Sequence, residues 1–121
     1  MHLSIIKLLK RMGFSASTNG YKYILEAIAL TIKEPELRHH HLTTHLYPLI
    51  AQKYHVSSTS VERCIRSAIE SAWLRGDIEF NNRLFQYSID YNRGKPTNSE
   101  FISVITEYFL YGLTVDDIME N

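Results

Sequence analysis

Apolar residues recur along most of this chain at spacings of three and four, the period of an amphipathic helix. Ile5, Ile6, Leu8, Leu9 and Met12 form a first stripe, and Gly13 then offers a C-terminal stop. Ser17, Thr18 or Asn19 can cap a second helix, whose apolar residues include Tyr23, Ile24, Ala27, Ile28 and Ile32 and which Pro35 ends. Leu42, Leu46, Leu49, Ile50 and Tyr54 predict a third helix. Pro48 falls inside that pattern and is tolerable only in a first turn or at a kink, so the start of this helix is left open. His55-Val56-Ser57 is a short connector, and Ser57 or Ser58 can cap a fourth helix over 58–75. A short fifth helix is expected over 79–86, a loop over 87–97 around Asn92, Gly94 and Pro96, and a last helix from an Asn98 or Ser99 cap to Tyr111. The acidic tail, about 113–121, is expected to be loose or to form a short extra turn. The fold class is therefore all-α.

Residues 42–75 have the layout of a helix-turn-helix: a helix, a connector of a few residues, then a longer helix. On a wheel at 100° per residue, Val61, Ile65, Ala68, Ile69 and Ala72 share one face of the fourth helix, with Trp73 at its edge. The opposite face carries Thr59, Arg63, Arg66 and Glu70, with Glu62 on one flank and Ser60 and Ser67 on the other. That outer face suits a DNA major groove. Arg63 and Arg66 can each fork onto the O6 and N7 acceptors of a guanine, and Glu62 can accept from the amino group of a cytosine. Hydroxyls at Ser57, Ser58, Thr59 and Ser60, beside the amides of a helix N-terminus, can reach phosphates, as can Lys53 and Lys95. The same spacing also fits a solvated face with an i, i+4 pair between Glu62 and Arg66.

Net charge is zero, which gives no general attraction to nucleic acid, but its distribution is uneven. Residues 1–66 hold nine Lys/Arg against four Asp/Glu, a net of +5, and residues 67–121 hold four against nine, a net of −5. A basic face for phosphates and an acidic end elsewhere would follow from that split. With 121 residues, 45% apolar and 21% charged, the composition is that of an ordinary globular domain. The single cysteine, Cys64, excludes a disulfide within the chain and agrees with a reducing, cytoplasmic setting. No apolar run approaches the roughly 20 residues that span a bilayer, and the cationic, periodic N-terminus reads as an amphipathic helix, not a signal peptide.

Other constellations carry less. His39, His40, His41 and His45 invite a metal, since His41 and His45 would share a helix face, but no cysteine or carboxylate lies nearby in sequence to complete a site, so no metal and no cofactor is expected. Cys64 beside the core stripe suits a small buried hydrophobe better than a redox switch. The eight tyrosines stand at core spacing, which favours packing over base stacking. Asp116 and Asp117 form no catalytic pair, and no phosphate loop, nucleophile elbow or zinc signature occurs, so no enzyme is expected.

Several blocks in order resemble the effector domain of the sporulation master response regulator, the stage zero sporulation protein A family. They are Gly20-Tyr21-Lys22-Tyr23-Ile24-Leu25-Glu26-Ala27-Ile28, Leu46-Tyr47-Pro48-Leu49-Ile50-Ala51-Gln52-Lys53-Tyr54, Val61-Glu62-Arg63-Cys64-Ile65-Arg66-Ser67-Ala68-Ile69-Glu70-Ser71-Ala72-Trp73, Arg75-Gly76-Asp77-Ile78, and Lys95-Pro96-Thr97-Asn98-Ser99-Glu100-Phe101-Ile102. The similarity runs from about residue 4 to 110. It implies a six-helix domain with a central helix-turn-helix that reads boxes of the type TGTCGAA, often in tandem, as a DNA-bound homodimer. In that family a Glu-Arg pair and an Arg three residues later read the box, matching Glu62, Arg63 and Arg66 here. The resemblance also implies contact with RNA polymerase sigma factors, with residues 75–90 the nearest counterpart. Ser60 stands where the family usually has arginine, Ser67 where it has histidine, and the chain diverges beyond Ile78. No receiver domain precedes the helices: the chain is either part of a longer protein or a stand-alone paralogue, and the start at Met1 is compatible with the second. The expected function is sequence-specific transcription regulation. The alternative is a protein-interaction module, an antagonist that binds the full-length regulator or a sigma factor without specific DNA binding.

Overall fold

The computed structural model describes residues 2–38, 42–85 and 94–112. Among the described residues there are six α-helices and no strand, as the periodicity predicts. They are α1 (His2–Met12), α2 (Asn19–Lys33), α3 (Tyr47–Tyr54), α4 (Ser58–Arg75), α5 (Ile78–Leu84) and α6 (Asn98–Leu110). The expected acidic tail, residues 39–41 of the histidine run and most of the expected 87–97 loop lie outside the described residues.

The helix ends follow from local chemistry. Helix α1 closes in a Schellman arrangement: Phe14 N–H donates to Leu9 C=O and Gly13 N–H to Lys10 C=O, with Gly13 at φ 97°. Thr18 caps α2 by accepting from Tyr21 N–H. Residues Leu42–Leu46 form a single π-helical turn, and α3 restarts at Tyr47, so Pro48 sits in a first turn where its missing N–H has no partner to lose. Helix α6 is capped one residue earlier than expected. Thr97 accepts from Glu100 N–H while the Glu100 carboxylate accepts from Thr97 N–H, a reciprocal capping box. Likewise α5 starts at Ile78 on an Asp77 cap and ends at Leu84, so the expected span 79–86 is shifted.

Helix α2 packs chiefly against α4 and α6, and α4 in turn against α3 and α5. The stripes identified in the sequence fill the space between them: Ile5, Leu9 and Met12 of α1, Ile24, Ala27 and Ile28 of α2, Ile50 of α3, and Val61, Ile65, Ile69 and Ala72 of α4 are all buried. Two expected core positions are exposed, Ile6 at 38% and Leu49 at 46%, each about 100° round its helix from its buried neighbour, Ile5 or Ile50, while Ile32, Tyr54 and Ala68 are partly buried. Trp73 belongs to the core, within an aromatic group: its ring meets Phe85 edge-on at 5.3 Å and Phe101 at 6.2 Å, and its indole N–H donates to Asn82 Oδ1 at 3.0 Å.

Two close approaches set the helix positions. A Cβ added at Gly20 would lie 2.3 Å from the Cys64 carbonyl oxygen and 2.8 Å from Ala68 Cβ, so α2 rests directly on the backbone of α4. At the C-terminal end of α4, a Cβ at Gly76 would lie 2.3 Å from the Met12 carbonyl oxygen. Buried Asn81 there donates to the carbonyls of Met12 and Ala72, at 3.0 and 3.2 Å, and Arg11 pairs with Asp77. The ends of α1 and α4 and the start of α5 therefore meet at one junction.

Gly20→Ala should destabilise the fold by about 1–3 kcal/mol, since neither obstructing group is the end of a flexible side chain; a urea midpoint within error of wild type would refute the close approach. The Asp77 carboxyl is held below its ordinary value near 3.8, first by the Arg11 hydrogen bond and then by the Phe80 amide. Its stabilisation is therefore present above that value and is lost as pH falls through the lowered one. Asp77→Asn keeps a cap but loses the ion pair. Wild type should melt above this variant at about pH 6, and the gap should narrow as pH falls below about 3.8; a gap that stays constant would contradict the linkage.

Candidate nucleic-acid interface

The connector between α3 and α4 is tight. His55 takes a left-handed conformation, φ 56° and ψ 45°, and Val56 N–H donates to Ala51 C=O at 3.0 Å. A non-glycine residue there carries some strain, which lets the chain reverse in three residues and present α4 beside α3. Ser57 then caps α4: its Oγ accepts from Ser60 N–H at 3.0 Å and its hydroxyl donates to Ser60 Oγ at 3.0 Å. Helix-turn-helix geometry thus forms where the sequence places it.

With Val61, Ile65, Ile69 and Ala72 buried, Arg63 points directly away from the core, and Thr59, Arg66 and Glu70 lie within about 60° of it at 100° per residue. All four are exposed. Arg63 forms no ion pair with a described residue. Arg66 does: its Nη1 lies 3.0 Å from Glu62 Oε1, the i, i+4 pair that the spacing allows. Glu62 is half-buried at the flank. The three expected base-reading residues are therefore on one exposed stretch of helix, with two of them bonded to each other.

The expected phosphate contacts divide. Thr59 is exposed, and Ser58 and Ser60 are half-buried in the first turn of α4. Lys95 is brought alongside the outer face, its Nζ 3.8 Å from Glu70 Oε1. Lys53 is held elsewhere. It pairs with Glu26 of α2 and lies 5.6 Å from the centre of the Tyr54 ring, and the Glu26 hydrogen bond pushes its pKa up. Cys64 is only half-buried, with its backbone carbonyl under Gly20. His45 Nδ1 lies 2.8 Å from Thr44 Oγ1.

Residue-type reasoning missed one group beside this face. The Asn98 side-chain amide donates both to Tyr47 Oη and to the backbone carbonyl of Glu62, each at 3.1 Å. Burial pushes the Tyr47 phenol up, against the lowering effect of that Asn98 bond. The available signal was Thr97-x-x-Glu100, which marks Thr97 as the cap and frees the Asn98 side chain for another use.

A scan against protein-family models matches residues 5–109 to the family described as sporulation initiation factor Spo0A C terminal. The match takes in the helix-turn-helix, the exposed arginine face of α4 and the α6 start that Asn98 joins to it. With nearly all of the described helices inside one family model, the chain belongs to the Spo0A C-terminal family, the DNA-binding effector domains of sporulation response regulators.

Proposed function

We propose that the chain acts as one domain over residues 1–121 and regulates transcription by reading TGTCGAA-like boxes, with α4 in the major groove. The carrying observation is the placement of Arg63 and Arg66 one turn apart on the exposed side of a helix whose other side is fully committed to the core. Arg63 needs no rearrangement to fork onto a guanine. Arg66 exchanges the Glu62 carboxylate for a base, and Glu62 then becomes free to accept from a cytosine amino group. Ser58, Thr59 and the amides of the first turn hold a phosphate, and Ser60, which accepts from Ser57, keeps its own hydroxyl hydrogen for a phosphate oxygen. Lys95 and, after release from Glu26, Lys53 add cationic contacts.

Tandem boxes call for two copies side by side, so a DNA-bound homodimer is part of this reading. A sigma factor of RNA polymerase is the proposed protein partner, in the cytoplasm. The turn from α4 to α5 supports it: Leu74 is 71% and Ile78 43% exposed, flanked by Arg75 and Glu79, an apolar spot with a charged rim. No described helix is long and apolar enough to cross a membrane.

Fluorescence anisotropy at about 150 mM salt should give roughly 10³-fold preference for a duplex with two tandem boxes over a scrambled one. Equal affinity for both would sink base readout and move the search to protein partners. Arg63→Ala should cost about 1–3 kcal/mol on the box and much less on the scrambled duplex; equal losses on both would make Arg63 a phosphate contact. Glu62→Gln releases Arg66 and removes a negative charge from the groove-facing side, so it should strengthen binding to the scrambled duplex while narrowing the preference. Weaker binding to random DNA would show that the Glu62–Arg66 pair does not restrain Arg66.

A further inference from the structure

Asn98 is the first residue of α6, and its side chain is not used to cap that helix, since Thr97 does so. One amide hydrogen goes to Tyr47 Oη at the first residue of α3 and the other to the Glu62 carbonyl of α4, so a single NH2 group is saturated by two different helices. The Glu62 carbonyl lies inside α4, where the backbone already supplies an acceptor's usual partner four residues on, so this is an added bond, not a terminal repair. It lands on the residue whose side chain pairs with Arg66 and whose neighbour is Arg63. The same short segment carries Lys95, whose ammonium faces Glu70 two turns further along α4. Tyr47 is buried, so the far end of the bridge is rigid.

We infer that Asn98 is a positioning residue for DNA readout: the Tyr47–Asn98–Glu62 bridge fixes the angle and depth at which α4 presents Glu62, Arg63 and Arg66. This rests on the proposed base readout. Two helices of a helix-turn-helix joined by a three-residue turn can still rock about that turn, and apolar packing, being non-directional, resists sliding less than directed hydrogen bonds do. A bidentate arginine contact loses most of its discrimination when the helix is displaced by a fraction of a hydrogen-bond length, whereas phosphate contacts tolerate such a shift. A loosened bridge therefore weakens specific binding and spares non-specific binding.

The test uses the whole chain with Asn98→Ala, Asn98→Asp and Tyr47→Phe. Asn98→Ala should lower the ratio of box to scrambled affinity by about tenfold, nearly all from the box, with the salt slope on the scrambled duplex unchanged. Tyr47→Phe should lower it less, and the double variant should lose less than the two single losses combined. Equal loss on both duplexes, or an unchanged ratio in a folded variant, overturns the inference. Amide hydrogen exchange without DNA supplies the second readout. Asn98→Asp suits the start of α6 at least as well as asparagine but removes both donors. It should speed exchange of the amides at 62–66 by about tenfold while leaving those of 101–106 in α6 as slow as wild type. Unchanged exchange at 62–66 overturns the bridge. A wild-type chain that fails to discriminate between duplexes counts against base readout, and the exchange comparison then decides the bridge by itself.

Discussion

The contact between Gly20 and the backbone of α4 is the constraint on which the rest of the molecule depends. Two helices normally stand 8–10 Å apart, held off by side chains; here the absence of a Cβ lets α2 rest on the Cys64 carbonyl and Ala68. That contact fixes the rotation of α4 about its own axis. With residues 64 and 68 facing α2, and 61, 65, 69 and 72 filling the core, 63 and 66 have nowhere to go but outward. The exposed arginine side of α4 is thus a consequence of what its other sides are obliged to cover.

The three attachments of α4 divide the work along its length. Gly20 grips its middle, Asn98 ties the Glu62 turn to α3 and α6, and the Gly76–Asn81 junction holds its end against α1 and α5. An 18-residue helix fixed at three levels behaves as a rod. Its neighbours supply hydrogen-bond donors of defined direction at both ends, while the middle is governed by shape alone.

Much of this was legible in the sequence, and the failures have identifiable causes. The six helices and the inward face of α4 follow from periodicity, because an amphipathic stripe must be buried somewhere. Ile6 and Leu49 misled because an apolar residue beside a stripe was counted with it; each lies about 100° round the helix from its buried neighbour, Ile5 or Ile50. The start of the third helix was unreadable because a π turn, Leu42–Leu46, precedes Pro48, and nothing in residue type distinguishes it from ordinary helix. The α6 cap lies at Thr97, one residue before Asn98, because Thr97 and Glu100 together make a reciprocal pair that neither residue signals alone. Of the candidate site, the outward placement of Arg63 and Arg66 was legible, whereas the bridge to Tyr47 is long-range and side-chain-specific. The split of charge between the two halves of the chain also proved too simple. Arg11 pairs with Asp77 across that division, and Glu70 and Lys95 pair within the acidic half, so carboxylates are interleaved with the cations they screen.

That interleaving bears on the start of α4 as well. Ser60 accepts a hydrogen bond from the Ser57 cap and so becomes part of the helix start. An arginine there would add a mobile cation over a phosphate; a serine adds a short, fixed donor beside the first-turn amides. Each phosphate-neutralising cation contributes about 0.9 to the salt slope. A serine in place of an arginine therefore gives up long-range attraction while leaving Glu62, Arg63 and Arg66, two, three and six positions further along α4, untouched. Arg66 and Lys95 also carry carboxylate partners, so any attraction to phosphates is damped twice, by fewer cations and by prior pairing. Arg63 has no such partner among the described residues, so its guanidinium has no ion pair to break before it meets another group.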